Sequence, residues 1–173
     1  MSVLVPFLPY DPCETPMSFA ARLASFHLGA RVVPFLHDIG IRPEALVGCE
    51  FDAVEQLAGV TGVDSAALHR NSAHRIRKRR FELRGHEFTA EFFASPYTVF
   101  CPACLRDDDA LGGDPALFRK GRLLWTPRPV RTCPMHGLEL VRRKKVSWDD
   151  AFHQMALRVP ERAEALDELV DRA

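Results

Sequence analysis

The chain has 173 residues, of which 47% are hydrophobic and 27% charged, and its formal net charge at pH 7 is zero. These values are typical of an ordinary globular protein with one domain or two small ones, and no apolar run is long enough to cross a bilayer. Residues 1–9 are apolar but interrupted by prolines and lack a preceding basic residue, so they do not make a signal peptide, and the sequence predicts a cytoplasmic protein.

Capping signals near the N-terminus predict a first helix over residues 15–28. Thr15 can act as the N-terminal cap, Pro16 suits the first helical position, and Gly29 marks the end of the helix. Further short helices are predicted over Val32–Asp38 and Pro43–Val47.

Residues 52–72 have the pattern of a helix-turn-helix. Asp52 can cap one helix, residues 61–63 make a turn around a glycine, and Asp64 or Ser65 can cap a second helix. The side chains predicted to project from the second helix towards a DNA major groove are Ser65, Ala66, His69 and Arg70. A helical hairpin that only packs against the rest of the protein has the same pattern, so both interpretations stay open.

A basic stretch follows the second helix, over residues 70–84, and the hydrophobic period there changes to that of strands or extended chain. The apolar positions of this region, on both sides of a turn at Gly85, are Ile76, Phe81, Leu83, Phe88, Phe92 and Phe93. The basic side chains predicted to contact DNA phosphates are Arg75, Arg77, Lys78, Arg79 and Arg80. Such contacts give affinity that depends on salt and carries no sequence information. The alternative is a solvated strand face.

Two short motifs carry the strongest signal in the chain, Cys101-Pro-Ala-Cys104 and Cys133-Pro-Met-His136. Each motif separates two ligands by two residues, and together they supply the four ligands of a tetrahedral zinc site. Four protein ligands leave no open coordination position, so the zinc is predicted to be structural. A redox role would need a thioredoxin-like βαβ setting, and five unevenly placed cysteines do not make a disulfide framework.

The enzymatic alternative is a zinc deaminase, which combines His-x-Glu with Pro-Cys-x-x-Cys. Here His86-Glu87 lacks the intervening residue, and the first cysteine pair follows Phe100 rather than proline. The second motif would also fill the coordination shell. The sequence therefore predicts a protein without enzymatic activity.

The remaining segments complete an α+β protein. Residues 123–130 are predicted to be extended and 138–142 to form a short strand, and helices are predicted over 149–159 and 161–171. We expect three parts: an N-terminal helical, helix-turn-helix-like domain over residues 1–74, a β-rich zinc-ribbon or zinc-knuckle domain over 75–146, and C-terminal helices over 147–173.

Together these features resemble the TniQ family of transposition proteins. The resemblance covers residues 9–141 and is most specific in the zinc stretch, with residues 100–105 and 133–138 and, between them, Arg122 and Trp125. Val130 and Leu140 also belong to this zinc stretch. The weaker matches are N-terminal: the opening segment 12–24, the Leu57-Ala58 and Thr61-Gly62 pairs, and Leu68.

The resemblance implies an adaptor that selects targets in a DNA-mobility system. Family members engage DNA or a DNA-bound complex, such as a guide or target-site complex, and connect it to an AAA+ ATPase that recruits the transposase. They have no catalytic centre of their own. Many relatives continue with a second cysteine-rich unit and a further helical domain, whereas this sequence stops 37 residues after His136. The resemblance therefore does not extend to what those parts do, especially partner docking, and three interpretations stay open: a minimal member, a fragment, or a relative with another use.

A protein–protein adaptor without DNA contact is the second interpretation. In that case zinc would shape a docking surface, and aromatic side chains would anchor the partner. The aromatic residues available for this are Phe118, Trp125, Trp148 and Phe152.

Overall fold

A computed structural model describes residues 3–5, 7–93, 95–145, 155 and 163–172. It contains helices and two small antiparallel sheets, which confirms the predicted α+β class. In the described part of the chain, no helix has the length and apolar character that crossing a membrane requires.

Five helices make up the N-terminal part. They are α1 (Pro16–Leu28), α2 (Val32–Asp38), α3 (Pro43–Val47), α4 (Phe51–Thr61) and α5 (Ser65–Arg70). Their apolar faces meet in one hydrophobic cluster, in which Phe19, Phe35 and Leu57 are at most 2% exposed. Burial of these faces is what stabilises helices as short as these.

The ends of α1 are those that the capping signals predict. The Thr15 hydroxyl accepts a hydrogen bond of 3.2 Å from the Ser18 N–H, and Gly29 ends the helix in the left-handed region at φ 59°. Left-handed backbone at a helix end favours glycine because it has no Cβ.

Helices α4 and α5 are joined by a tight turn at Gly62, which has a φ of 70°. Asp64 caps α5 by accepting a hydrogen bond from the Ala66 N–H at 3.2 Å. The predicted cap of α4 is wrong by two positions, since Glu50 precedes the helix and Asp52 lies in its first turn.

The first sheet has the strands β1 (His74–Arg77), β2 (Arg80–Leu83) and β3 (His86–Thr89) in that order, all antiparallel. Arg84 and Gly85 both have positive φ, 53° and 79°, as a two-residue type I′ hairpin turn requires.

Phe92 and Phe93, predicted as strand residues, instead lie in a short helix, α6 (Ala90–Phe93). The Phe92 ring stacks on Phe88 with centroids 4.4 Å apart, and Phe93 meets Phe88 edge-on at 5.6 Å. The aromatic spacing therefore reflects packing against the sheet rather than continuation of a strand.

The second sheet pairs β4 (Tyr97–Phe100) with β5 (Val141–Lys144). The strand predicted over residues 138–142 overlaps β5 at residues 141 and 142 but begins too early, since the residues before β5 form an isolated bridge between Thr132 and Glu139.

Helix α7 (Pro102–Asp109) begins within the first motif, and α8 (Pro115–Phe118) and a 3₁₀ turn (Leu123–Trp125) follow it before the second motif. The prediction of extended chain over 123–130 is wrong for residues 123–125, because these residues form the 3₁₀ turn. The last described helix is α9 (Ala163–Asp171), and its Leu166 is fully buried in a second hydrophobic cluster with α7 residues.

Apart from residue 155, which is helical, the predicted helix over 149–159 lies outside the described residues, as do the side chains of Trp148 and Phe152. The two hydrophobic clusters are compatible with the expected division of the chain, whose boundaries stay a prediction.

Candidate functional site

The side chains of Cys101, Cys104, Cys133 and His136 come together, with their ligand atoms all within 4.8 Å of one another. His136 Nδ1 lies 3.3 Å from Cys104 Sγ and 3.7 Å from the other two sulfurs. The sulfurs of Cys104 and Cys133 are 3.6 Å apart. All three cysteines are buried and His136 is half-buried.

These separations fit a tetrahedral ion. With Zn–S distances of ~2.3 Å and a Zn–N distance of ~2.0 Å, tetrahedral angles place sulfurs about 3.8 Å apart and a sulfur about 3.5 Å from a nitrogen. Three cysteine sulfurs and one imidazole are also donors that suit zinc, whereas harder cations prefer oxygen ligands. The four residues can therefore hold a metal ion.

The local backbone explains why each motif presents two ligands to one point. Cys101 follows β4 and precedes α7, whose first turn carries Cys104, with Pro102 in the first helical position. In the second motif the Cys133 N–H donates to the Leu138 carbonyl at 2.8 Å. The Gly137 N–H donates to the Cys133 carbonyl at 2.9 Å, and Gly137 closes this turn with a φ of 68°.

A carboxylate orients the histidine. His136 Nε2 lies 3.0 Å from Asp107 Oδ2, on the side of the ring opposite the sulfurs. Donation of the Nε2 proton to this carboxylate leaves Nδ1 with its lone pair towards the cysteines, the usual arrangement of a metal-binding histidine.

The thiols share their protons unequally. A hydrogen bond from Cys104 lowers the pKa of the Cys101 thiol, and the same contact raises the pKa of Cys104. The Arg122 guanidinium acts in the opposite direction and favours the Cys104 thiolate. A cationic neighbour suits a centre whose three thiolates outnumber the charge of a divalent ion.

Arg122 is itself fixed by a buried carboxylate. Its two terminal nitrogens each donate to Asp108 at 2.8 Å, and Asp108 is only 2% exposed. The Arg122 guanidinium also lies over the Trp125 ring, 5.0 Å from its centroid, and Trp125 is buried beside the cysteines. Charge pairing and stacking together therefore hold the guanidinium in place.

Further buried polar contacts join the segment between the motifs to the N-terminal helices. Glu14, fully buried, accepts hydrogen bonds from Arg22 at 2.6 Å and from the Ser18 hydroxyl at 2.7 Å. Arg22 Nε donates to the Leu117 carbonyl of α8 at 2.6 Å. The Gly121 N–H donates to the Ser18 hydroxyl at 2.7 Å.

Two further ion pairs involve the segment between the motifs. Arg119 binds Asp109 through two hydrogen bonds of 2.7 Å, and Lys120 donates to Asp11 at 2.8 Å. Buried and half-buried polar contacts thus set the position of this segment relative to α1. Sequence reasoning missed them; the only signal was the acidic run after Cys104 and the basic run 119–122.

The residues predicted to contact DNA fall into two groups. Ser65 begins α5 and is half-buried, while Arg70 ends it and is exposed. The second group lies on the β1–β2 hairpin, which we call the basic hairpin, and most of its basic side chains are exposed. They are Arg75 and Arg77 of β1, Lys78 and Arg79 of the turn, and Arg80 of β2.

Some of these side chains have partners within the chain. Arg77 pairs with Glu87 of β3 at 3.2 Å, and Arg79 pairs with Glu91 of α6. Both pairs are largely exposed, so water and salt screen them and a phosphate can replace either carboxylate at little cost.

Arg84 connects the sheet to α5. Its Nε donates to the Arg70 carbonyl at 3.1 Å, and a terminal nitrogen donates to the Asn71 side-chain oxygen at 2.8 Å. The end of α5 and the sheet that carries the basic hairpin are therefore held together. Whether these residues contact DNA stays a prediction.

These features define an α+β protein with an N-terminal set of helices and a cluster of three cysteines and one histidine that could hold a metal ion. The TniQ family profile matches residues 5–140, and the chain belongs to the TniQ family. Comparison with curated proteins and with solved structures gives no match. TniQ membership fits a transposition-associated accessory protein.

Proposed function

We propose that this chain is a non-enzymatic, TniQ-like targeting component of a transposition system. It binds DNA or a DNA-bound complex and links it to an AAA+ ATPase, in the cytoplasm. The family match over residues 5–140 carries this proposal. The closed four-ligand centre supports a role without catalysis, because it leaves a metal no position for a reacting water.

The metal of the centre is proposed to be structural Zn²⁺, held by Cys101, Cys104, Cys133 and His136. When bound, it would tie the end of β4 and the start of α7 to the second motif. Since the cysteines lie inside the second hydrophobic cluster, metal binding and folding of this part are coupled.

The proposed DNA surface combines α5 with the basic hairpin. Side chains of the hairpin would bind phosphates, and Ser65, His69 and Arg70 would lie nearer the bases. The support is the connection of the two elements through Arg84, which presents them as one unit, and the exposure of the basic side chains from Arg75 to Arg80.

A salt series on random duplex DNA tests the DNA proposal. Lys78→Ala/Arg79→Ala should weaken binding and reduce the slope of log affinity against log salt by about 0.9 for each phosphate that is no longer neutralised. Arg106→Ala/Arg172→Ala removes two exposed arginines outside the proposed surface and is the matched control. Absence of duplex binding at low salt would refute the proposal.

A protein–protein adaptor without DNA contact is the second candidate. Met135, at the tip of the second motif, is 68% exposed and could anchor a partner. Trp125 does not favour this interpretation, since it is 3% exposed and covers the metal centre. Affinity capture from the native host with nucleic acid retained separates the candidates: an AAA+ ATPase with DNA supports the first, and protein alone supports the second.

A further inference from the structure

A row of hydrogen bonds runs through two histidines where α4, α5 and β1 meet. His69 Nε2 lies 2.6 Å from Glu55 Oε1, and His69 Nδ1 lies 2.9 Å from His74 Nε2. His74 Nδ1 lies 2.8 Å from the Cys49 carbonyl oxygen. The Phe51 ring covers one face of His69, with centroids 4.3 Å apart. We call Glu55, His69, His74 and the Cys49 carbonyl the histidine relay.

The three contacts of the relay can all be hydrogen bonds only if each of them contains one proton, which makes three protons in total. Both of its ends, a carboxylate and a carbonyl, are acceptors, so the ring nitrogen facing each end carries a proton. The contact between the two rings needs one further proton, on one nitrogen or the other. Three protons on two imidazoles mean that one ring is a cation, because a neutral imidazole has a single N–H.

The surroundings place the charge on His69. Its ring faces the Glu55 carboxylate, and a carboxyl group is the stronger acid, so the proton belongs to the ring. Burial lowers the pKa of His74, and a positive charge on His69 lowers it further, while Glu82, opposite His74 in β2, acts in the other direction. His74 therefore stays neutral, donates through Nδ1 and accepts through Nε2.

We propose that doubly protonated His69 is a positioning residue for DNA binding, which joins α5 to α4 through Glu55 and to β1 through His74. The proposal rests on the proposed DNA-binding function and adds a positioning role for His69 to the placement of α5 near the bases. The relay fixes the angle between α5 and the basic hairpin, whose first strand begins at His74. With one proton fewer, one of the three contacts of the relay is left without a donor, so duplex affinity should fall as pH rises and the relay loses that proton.

The first test is the ring protonation in the metal-loaded full chain, measured by ¹⁵N NMR at about pH 6. We expect protons on both nitrogens of His69 and on Nδ1 alone of His74. A neutral His69 would overturn the proposal. This readout requires no variant and no DNA.

The second test is affinity for random duplex DNA as a function of pH. Glu55→Gln and His74→Ala should each weaken binding about tenfold below neutral pH, as expected when a hydrogen bond to a charged group is removed, and should abolish the pH dependence. His86→Ala, a change of an exposed histidine in β3, is the matched control and should bind like the wild type.

The outcomes separate the two proposals. Wild-type binding with unchanged affinity in both relay variants would overturn the positioning role and leave DNA binding intact. Absence of wild-type binding at low salt would overturn both.

Discussion

Loss of Asp108 should destabilise the region of the metal centre, because Asp108 holds Arg122 beside it. Asp108 is 2% exposed and accepts two hydrogen bonds of 2.8 Å from Arg122 and one of 3.1 Å from the Lys120 N–H. Asp108→Asn keeps the shape but removes the charge, so one Arg122 nitrogen is left facing an amide donor and the guanidinium is buried without its counter-ion.

Breaking a buried ion pair from one side costs about 3–5 kcal/mol. The Asn oxygen can still accept one hydrogen bond, so we expect a loss of about 3 kcal/mol in the free energy of unfolding. Urea unfolding of the zinc-loaded chain measures it. Asp167→Asn is the control, because its pair with Arg106 at 3.2 Å is about half exposed and should contribute less than about 1 kcal/mol. Equal losses in the two variants would refute the reasoning.

Three further predictions concern the metal centre and the buried acid. Cys104→Ser, or removal of metal by a chelator, should abolish cooperative unfolding of the second hydrophobic cluster in calorimetry; an unchanged transition would contradict this. Asp107→Asn should weaken zinc affinity about 10–100-fold in a competition titration with a chelating dye, with Asp114→Asn as a control of no effect. Burial raises the pKa of Glu14 to about 7, so the folded state takes up a proton more readily than the unfolded state. Stability should therefore fall as pH rises from about 4.5 to about 7, and Glu14→Gln should flatten this interval in urea unfolding; a slope that persists in the variant would argue against Glu14 as its source.

Local signals predicted well those features that depend on neighbours in sequence. The bounds of α1 follow from Thr15 and Gly29, whose capping and left-handed backbone are properties of a few adjacent residues. The four Cys/His residues come together because each motif folds its two ligands to one side of a tight turn.

Features that depend on distant parts of the chain were missed or wrong. Helix α7 carries three successive acids, which give no apolar period, and Asp108 and Asp109 are paired only because Arg122 and Arg119 reach them from the next segment. Phe92 and Phe93 were predicted as strand residues from the apolar pattern of the sequence. Their helical conformation instead accompanies tertiary packing of their rings on the sheet. The engagement of His69 with Glu55 and His74 could not be deduced from α5 alone.

We propose that a structural zinc ion, bound by the two motifs, holds this TniQ-family chain in its fold. Native mass spectrometry of the chain purified without added metal tests it most directly, with Cys133→Ser as the paired sample. We predict one zinc ion per wild-type chain and none in the variant, together with a shift of the variant to the higher charge states of an unfolded protein. A metal-free wild-type chain with the compact charge distribution of a folded protein would contradict it.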